Sequence, residues 1–275
     1  MAEFKKKKQY GQNFLTNVAI PRRIAAESGI TSDDCVIEIG PGFGILTREL
    51  SAIAHKVIAI EIDTELIGIL EEKLADCTNV KVINSDVLKT DIGELIKNEF
   101  EGRNVCVCAN LPYYITTDIV MKLLEENLGF KTITVMVQKE VAERFCSASG
   151  TDGYGAITAS ISYYATVKRL FTVKAGSFDP KPKVDSAVIR FDLHKSPPVN
   201  PKDKKLFFDV IKAAFSQRRK TLSNALHSFF GSKLSKQECT DIIIECGLSE
   251  TVRGEELDIF SFSKLSDLIY KKYTK

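Results

Sequence analysis

The chain has 275 residues, of which 44% are hydrophobic and 27% are charged, and its net charge is +2 at pH 7. This length suits an α/β domain joined to a small second domain, and we expect that arrangement. No apolar stretch approaches the roughly 18 residues that a bilayer-spanning helix needs, which excludes that class of membrane protein. The first residues lack the apolar region of a secretory leader, so we expect a cytoplasmic protein.

Positive charge is unevenly distributed along the chain. Residues 195–275 contain fifteen Lys and Arg and ten Asp and Glu, a balance of +5, whereas residues 1–194 have a balance of −3. Two basic clusters stand out, residues 5–8 and residues 218–220. Each is either a solvated face or a nucleic-acid contact. The seven cysteines show no C-x-x-C spacing, so we expect reduced thiols and no metal site.

Helical and strand-like segments alternate from about residue 16. The first helix is predicted over residues 17–28, with Pro21 in its first turn. Short apolar runs predict five strands, at residues 35–40, 56–63, 79–86, 104–110 and 131–138. Apolar strands separated by helices are typical of a parallel sheet covered on both faces.

The pattern changes after the fifth predicted strand. Residues 160–173 predict the end of a helix running into a strand, and residues 183–193 predict another strand, so we expect a hairpin at the sheet edge. A proline-rich linker follows at residues 194–205. Only helices are predicted beyond it, at residues 206–215, 221–229, 235–246 and 262–270. We therefore predict a first domain over residues 1–194, with a basic arm at 1–15, and a helical second domain over 195–275.

A glycine-rich turn, EIGPGFG, follows the first predicted strand at residues 38–44. The glycines at 40, 42 and 44 do not have the G-x-G-x-x-G spacing of a dinucleotide site. Such a turn still lets the backbone approach a nucleoside closely, because no Cβ stands in the way.

Two acids end the next two predicted strands. Glu61 could accept hydrogen bonds from both ribose hydroxyls, and Asp86 lies where an adenine ring would be, although either acid could simply cap a helix. Glycines after the first strand followed by these two acids resemble the S-adenosylmethionine site of Rossmann-like methyltransferases. In such enzymes the target-atom site lies at the fourth strand.

The sequence NLPYY, at residues 110–114, ends the fourth predicted strand. It resembles the N-P-P-Y pattern of enzymes that methylate exocyclic amino groups of nucleobases. Asn110 Oδ1 and the Leu111 carbonyl would accept hydrogen bonds from an adenine N6 group, and Pro112 would fix the backbone. Tyr113 is the candidate for stacking on the base. We expect Tyr114 to pack in the core and assign it no functional role; the alternative is that both tyrosines pack under a loop.

Further motifs identify a family resemblance. QYGQNFL (9–15), QKEVAERF (138–145), FDPKPKVDSAV (178–188) and FSQRRKTLSNAL (215–226) resemble the KsgA/RsmA family of small-subunit rRNA adenine N6,N6-dimethyltransferases. The resemblance covers nearly the whole chain and implies a Rossmann-like, S-adenosylmethionine-dependent domain with a small all-helical C-terminal domain. The cofactor contacts that it implies are Asn13, Leu15, Gly40, Gly42, Glu61, Asp86 and Asn110. It also implies that Phe178 is a second aromatic residue against the base, opposite Tyr113.

The resemblance also implies a substrate. Members dimethylate two adjacent adenosines in a loop near the 3′ end of small-subunit (16S) rRNA, as part of ribosome biogenesis. We expect RNA contacts from five basic residues, Lys181, Lys183, Arg218, Arg219 and Lys220. Phosphate contacts would supply affinity, while RNA shape would determine substrate choice. We expect a monomer.

Three alternative functions have to be weighed against this prediction. The related Erm group methylates an adenine in large-subunit rRNA, but FSQRRKTL and VDSAV look more like the small-subunit family. A non-catalytic RNA-binding assembly or transcription factor is disfavoured by the intact Asn110, Glu61 and glycine turn. A DNA adenine methyltransferase would need a target-recognition insertion, which is not recognisable here.

Overall fold

The computed structural model describes residues 12–273, which divide into two compact units. Within them, unit 1 comprises residues 12–142 and Val167–Leu193, and unit 2 comprises Glu143–Thr166 and residues 194–273. Residues 143–166 therefore cluster with unit 2, although the predicted first domain includes them. The assignment of functions to the two predicted domains stays a prediction, and the basic run at 5–8 lies outside the described residues.

Residues 12–273 form nine strands, and seven of them make one sheet in the order β4-β3-β2-β5-β6-β9-β7. Their bounds are β1 Phe14–Leu15, β2 Cys35–Ile39, β3 Lys56–Glu61, β4 Val80–Asn84, β5 Val105–Asn110, β6 Thr132–Gln138, β7 Ala165–Val173, β8 Phe178–Asp179 and β9 Ser186–Leu193. The five predicted strands are confirmed as β2 to β6. The two late strands are confirmed as neighbours at one edge of the sheet.

The sheet is parallel from β4 through β6, and β9 pairs antiparallel with β6. Every residue of β2 is buried, and so is nearly every residue of β3 and β5. Successive strand residues point to opposite faces, so burial of all of them requires cover on both faces. The edge strand β4 has no fully buried residue. This difference explains why the central strands read as continuous apolar runs.

Two short strands form a separate pair that sequence patterns did not predict. β1 pairs antiparallel with β8, with Phe14 opposite Asp179 and Leu15 opposite Phe178. Strands of two residues are too short to show a period of alternation, which is why the sequence did not reveal them. Leu15 and Phe178 are both buried in the hydrophobic core of unit 1.

Helices α1 to α5 lie between the strands of unit 1, and α7 to α11 belong to unit 2. Helix α6 crosses the division between the units, and so does β7. The helix bounds are α1 Ala19–Glu27, α2 Ile45–Ser51, α3 Thr64–Lys73, α4 Ile92–Glu99, α5 Thr116–Glu125, α6 Lys139–Phe145, α7 Ala156–Tyr164, α8 Lys204–Phe215, α9 Leu222–Phe230, α10 Lys236–Glu245 and α11 Ile259–Tyr273. No helix of residues 12–273 is long and apolar enough to cross a bilayer.

Unit 2 is a helical bundle with an aromatic core, as predicted for the region after the linker. Phe207 and Phe262 are fully buried, and the rings of Phe215 and Phe262 lie 6.1 Å apart between centroids. The Asp203 carboxylate begins α8 by accepting a hydrogen bond from Leu206 N, which satisfies one of the unpaired amides of the first turn. Such capping explains why α8 begins directly after the proline-rich linker.

Candidate active site

A cavity in unit 1 lies at the carboxyl ends of β2, β3 and β5. Within the sheet, β3 is the neighbour of β2 on one side, and β5, which comes later in the chain, is its neighbour on the other side. This is the point where the strand order reverses, and in open parallel sheets ligands bind at such points. The cavity is lined by Gln12, Asn13, Phe14, Leu15, Glu38, Gly40, Pro41, Gly42, Phe43, Ile45, Leu46, Glu61, Ile62, Leu66, Asn110, Leu111, Pro112 and Tyr113.

The glycine turn forms one wall of this cavity. Gly40 and Gly42 have φ angles of 68° and 59°. This region favours glycine, because in any other residue the Cβ would crowd the backbone. A Cβ on Gly42 would also lie 3.0 Å from the ring of Phe14. The predicted use of these glycines, to let the backbone approach a ligand, stays a prediction.

Glu61 ends β3 with its carboxylate buried at the cavity wall. Oε1 accepts a hydrogen bond from Asp63 N at 2.9 Å, and Oε2 accepts one from Gly42 N at 3.2 Å. Burial raises the pKa of Glu61, and the two backbone bonds act in the opposite direction. A carboxylate has about four acceptor positions, so lone pairs remain for the hydroxyls of a ligand.

Glu38 is a cavity residue that sequence patterns did not single out. Its side chain is 1% exposed, and no partner within residues 12–273 makes a hydrogen bond to Oε2. Burial raises the pKa of Glu38 to about 8, and the charge of Glu61 acts in the same direction. A buried acid with an unpartnered oxygen is costly when it is charged, so this carboxyl is held as a neutral acid near neutral pH. The available clue was its place directly before the glycine turn.

Asn110 stands at the end of β5 with its side chain held in one orientation. Its Nδ2 donates to the Asn13 carbonyl at 3.2 Å, which leaves Oδ1 as the acceptor end of the amide. The next residue is also fixed, since Leu111 N donates to the Met136 carbonyl at 3.2 Å. Asn110, Leu111 and Pro112 all line the cavity.

Tyr113 lines the same cavity, and its hydroxyl makes a hydrogen bond. The Oη atom lies 2.6 Å from Ser186 Oγ, with one hydroxyl donating to the other. Burial raises the pKa of Tyr113, so the phenol keeps its proton at neutral pH. Tyr114, in contrast, is 59% exposed and does not line the cavity, so the expectation that it packs in the core is wrong.

Two predicted site residues lie apart from this lining. Phe178 is 4% exposed and packs in the core of unit 1 beside Leu15. Asp86 caps a turn after β4, because its Oδ1 accepts a hydrogen bond from Leu88 N at 3.0 Å. Neither is among the residues that line the cavity. Their proposed contacts with base and cofactor stay predictions.

The predicted RNA contacts lie in both units. Lys181 and Lys183 are exposed in unit 1. Residues 216–220 of unit 2, which we name the basic loop, join α8 to α9 and expose Arg218, Arg219 and Lys220. Arg218 also donates to the carbonyls of Asp152 and Tyr154, at 3.0 and 3.2 Å. Arg218 therefore has a structural role in unit 2 that the sequence did not predict.

Comparison with known proteins identifies the family. A family model described as "Ribosomal RNA adenine dimethylase" matches residues 3–266. The chain belongs to this family. It is 46% identical over 270 residues to "Ribosomal RNA small subunit methyltransferase A" of Alkaliphilus oremlandii, covering 98% of this chain and 94% of that relative. A protein of the same name from Oceanobacillus iheyensis is 42% identical over 270 residues, covering 98% and 92% of the two chains.

Solved structures agree with this family membership. A dimethyladenosine transferase from Plasmodium falciparum superposes with a TM-score of 0.82 at 28% identity, covering 94% of this chain and 98% of that one. The 23S rRNA methyltransferase ErmE has the same fold, with a TM-score of 0.72 at 24% identity, covering 94% and 100% of the two chains. The Rossmann-like methyltransferase fold that the sequence predicts is confirmed.

The cavity has the chemical groups that S-adenosylmethionine requires. The glycine turn leaves room for a ligand to approach the backbone, and Glu61 retains acceptor positions suited to ribose hydroxyls. The unpartnered Oε2 of Glu38 offers a hydrogen-bonding position to a polar group of the ligand. Ile62 and Leu66 add an apolar wall. The residues present therefore fit this cofactor.

Proposed function

We propose that the chain methylates N6 of adenosines in small-subunit rRNA, twice on each of two adjacent residues near the 3′ end of 16S rRNA, with S-adenosylmethionine as methyl donor. The observation that carries this proposal is the fixed side chain of Asn110. Its Nδ2 donates a hydrogen bond to the Asn13 carbonyl, so its Oδ1 is the acceptor at the end of β5. The side chain lines the same cavity as the glycine turn. The relatives named as small-subunit methyltransferases support the choice of substrate.

The chemistry of an adenine amino group explains the need for such acceptors. The lone pair of N6 is delocalised into the ring, so the nitrogen is a poor nucleophile. Asn110 Oδ1 and the Leu111 carbonyl would accept hydrogen bonds from the N6 hydrogens and draw the nitrogen towards tetrahedral geometry. The bond from Leu111 N to the Met136 carbonyl holds this part of the backbone against β6. Preorganised acceptors of this kind act mainly by positioning.

S-adenosylmethionine, when bound, supplies a methyl group on a positively charged sulfur. The chain's own residues would bind and orient it: Glu61 by accepting from the ribose and the glycine turn by close backbone approach. The ring of Tyr113, a neutral phenol, would stack on an adenine that has left its stack of neighbouring bases, at a gain of roughly 1 to 3 kcal/mol. That gain offsets the few kcal/mol needed to unstack the base. No strong base is required in this scheme, because a positively charged sulfur is a good leaving group and N6 loses its proton to water after the methyl group has been transferred.

Substrate choice separates this proposal from the two other RNA functions. Labelled methyl transfer from S-adenosylmethionine should be measured on unmethylated small subunits, unmethylated large-subunit rRNA and adenine-containing DNA, followed by nucleoside analysis. We expect N6,N6-dimethyladenosine in the small subunit alone. Label in large-subunit rRNA would place the activity with the Erm group, and binding to small subunits without transfer would leave an assembly factor.

A further inference from the structure

The motif VDSAV contains two residues whose contacts lie next to the proposed base site. Ser186, the first residue of β9, is fully buried, and its Oγ lies 2.6 Å from Tyr113 Oη. The contact joins residues 73 positions apart in the chain. It is therefore a tertiary contact between a strand of the sheet and the turn that carries NLPYY.

The two partners of this hydrogen bond differ in how firmly they are held. Ser186 pairs with Gln138 on β6, and β6 is also paired with β5. Tyr113 lies in the turn between β5 and α5, where no sheet pairing fixes its backbone. The hydroxyl bond thus ties a ring in a turn to a strand in the sheet. Loss of this bond would remove one constraint on the orientation of the ring.

Asp185, the residue directly before Ser186 in this motif, makes a second set of contacts. Its Oδ1 accepts a hydrogen bond from Ala175 N at 3.0 Å, and its Oδ2 accepts one from Lys174 Nζ at 2.9 Å. Ala175 opens the short 3₁₀ turn Ala175–Ser177, which leads directly into Phe178. The Asp185 carbonyl also accepts a hydrogen bond from Lys139 N at 3.0 Å. Asp185 therefore holds the turn that leads into Phe178, which the family resemblance implies is a second aromatic residue against the base.

We propose that Asp185 and Ser186 are positioning residues for the methyl transfer: Ser186 orients the ring of Tyr113, and Asp185 holds the turn that carries Phe178. This inference rests on the proposed function and assigns a physical role to the VDSAV motif. Neither residue lines the cavity, so both act through the aromatic side chains.

The hydrogen bond between Ser186 and Tyr113 can be removed from either side. Ser186→Ala and Tyr113→Phe delete the same bond, and Tyr113→Phe keeps the ring face that would stack. We expect each to lower kcat by roughly three- to tenfold, the ratio that loss of one neutral hydrogen bond gives, while KM for small subunits and Kd for S-adenosylmethionine stay unchanged. The double variant should lower kcat no further than either single variant, because both changes delete one interaction.

A buried hydroxyl elsewhere in the sheet provides the matched control. Thr134 on β6 is fully buried, and no partner within residues 12–273 makes a hydrogen bond to its Oγ1. Thr134→Val removes a buried hydroxyl without removing a hydrogen bond, and we expect its kcat to equal that of the unmodified protein. Wild-type kcat in Tyr113→Phe would overturn the proposal. So would losses in the two single variants that multiply in the double variant.

Asp185 is tested by a pair of substitutions. Asp185→Asn keeps an oxygen for Ala175 N and loses only the ion pair with exposed Lys174, which is worth little at a surface. We expect Asp185→Asn to keep wild-type kcat and Asp185→Ala to lower it at unchanged KM. Equal kcat in both variants would overturn the role of Asp185. An unmodified protein that forms no dimethyladenosine would instead refute the proposed function, so the two failures are distinguishable.

Discussion

The cavity of unit 1 and the basic loop of unit 2 are built in contrasting ways. In the cavity, Glu38 and Glu61 are at most 4% exposed, and Asn110 is held by a hydrogen bond that it donates to a distant part of the chain. In the basic loop, Arg219 and Lys220 are exposed. Fixed, buried groups suit the recognition of defined atoms, whereas exposed cations suit phosphates through long-range attraction that salt screens. The comparison predicts that cavity variants change chemistry and that loop variants change affinity.

The largest expected effect tests the cavity side of this comparison. Asn110→Ala should lower kcat by at least about a hundredfold, since a preorganised acceptor at the reacting atom is lost, while binding to small subunits is retained. The measurement is single-turnover methyl transfer beside a filter-binding assay. Asn104→Ala is the matched control, because Asn104 is an exposed asparagine just before the opposite end of β5. Full activity in Asn110→Ala would refute the proposed mechanism.

A smaller effect is expected from substitutions in the basic loop. Arg219→Ala combined with Lys220→Ala should weaken RNA binding and reduce the slope of log K against log salt by about 1 for each lost phosphate contact. The kcat at saturating RNA should stay unchanged. Lys271→Ala with Lys272→Ala removes the same charge from exposed positions of α11 and serves as the control. Equal salt slopes in the two double variants would show that the basic loop makes no specific RNA contact.

The buried acid of the cavity predicts a dependence of stability on pH. The pKa of Glu38 is raised to about 8 in the folded state from an ordinary value of 4.5, so the folded protein binds the proton more tightly than the unfolded chain. Its contribution is fully present below pH 4.5 and is lost as the pH rises through 8. Between these values the free energy of unfolding should fall by up to about 1.4 kcal/mol per pH unit.

Glu38→Gln should remove this part of the pH dependence, because the amide resembles the neutral acid and does not titrate. Urea unfolding of the ligand-free protein between pH 5 and pH 8 is the measurement, at roughly half-unit steps. Asp86→Asn, a change at a strand end outside the cavity lining, is the comparison variant. An unchanged slope in Glu38→Gln would show that this carboxyl is ionised in the folded protein.

The smallest expected effect is a difference in stability between variants of two neighbouring residues of the basic loop, Arg218 and Arg219. Arg218→Ala should lower the free energy of unfolding by about 1 kcal/mol, because the guanidinium bonds to the carbonyls of Asp152 and Tyr154 are lost at a half-exposed site. Arg219→Ala should leave stability unchanged. Chemical denaturation of both variants is the test, and equal stabilities would remove the structural role of Arg218.

Sequence patterns predicted the sheet strands β2 to β6 and the glycine turn, and the resemblance to methyltransferases implied the grouping of Asn110 with Glu61 in one site. These features follow from local rules: buried strands read as apolar runs, and the carboxyl ends of parallel strands share one edge of the sheet. The position of Asp86 just after β4 follows the same rule, yet it does not line the cavity. β4 is the outermost strand on its side of the sheet, two strands away from the reversal at β2.

Tertiary structure decided which of these side chains are fixed by hydrogen bonds or packing, and which residues are their partners. The bonds from Asn110 to Asn13 and from Tyr113 to Ser186 join residues 97 and 73 positions apart. The pairing of Leu15 with Phe178 places that predicted stacking residue in the core of unit 1. Such contacts depend on strand pairing across the whole of unit 1 and leave no local periodicity in the sequence. The sequence by itself determined the family, the strands and the residue types of the site, whereas long-range packing determined their orientation, burial and protonation.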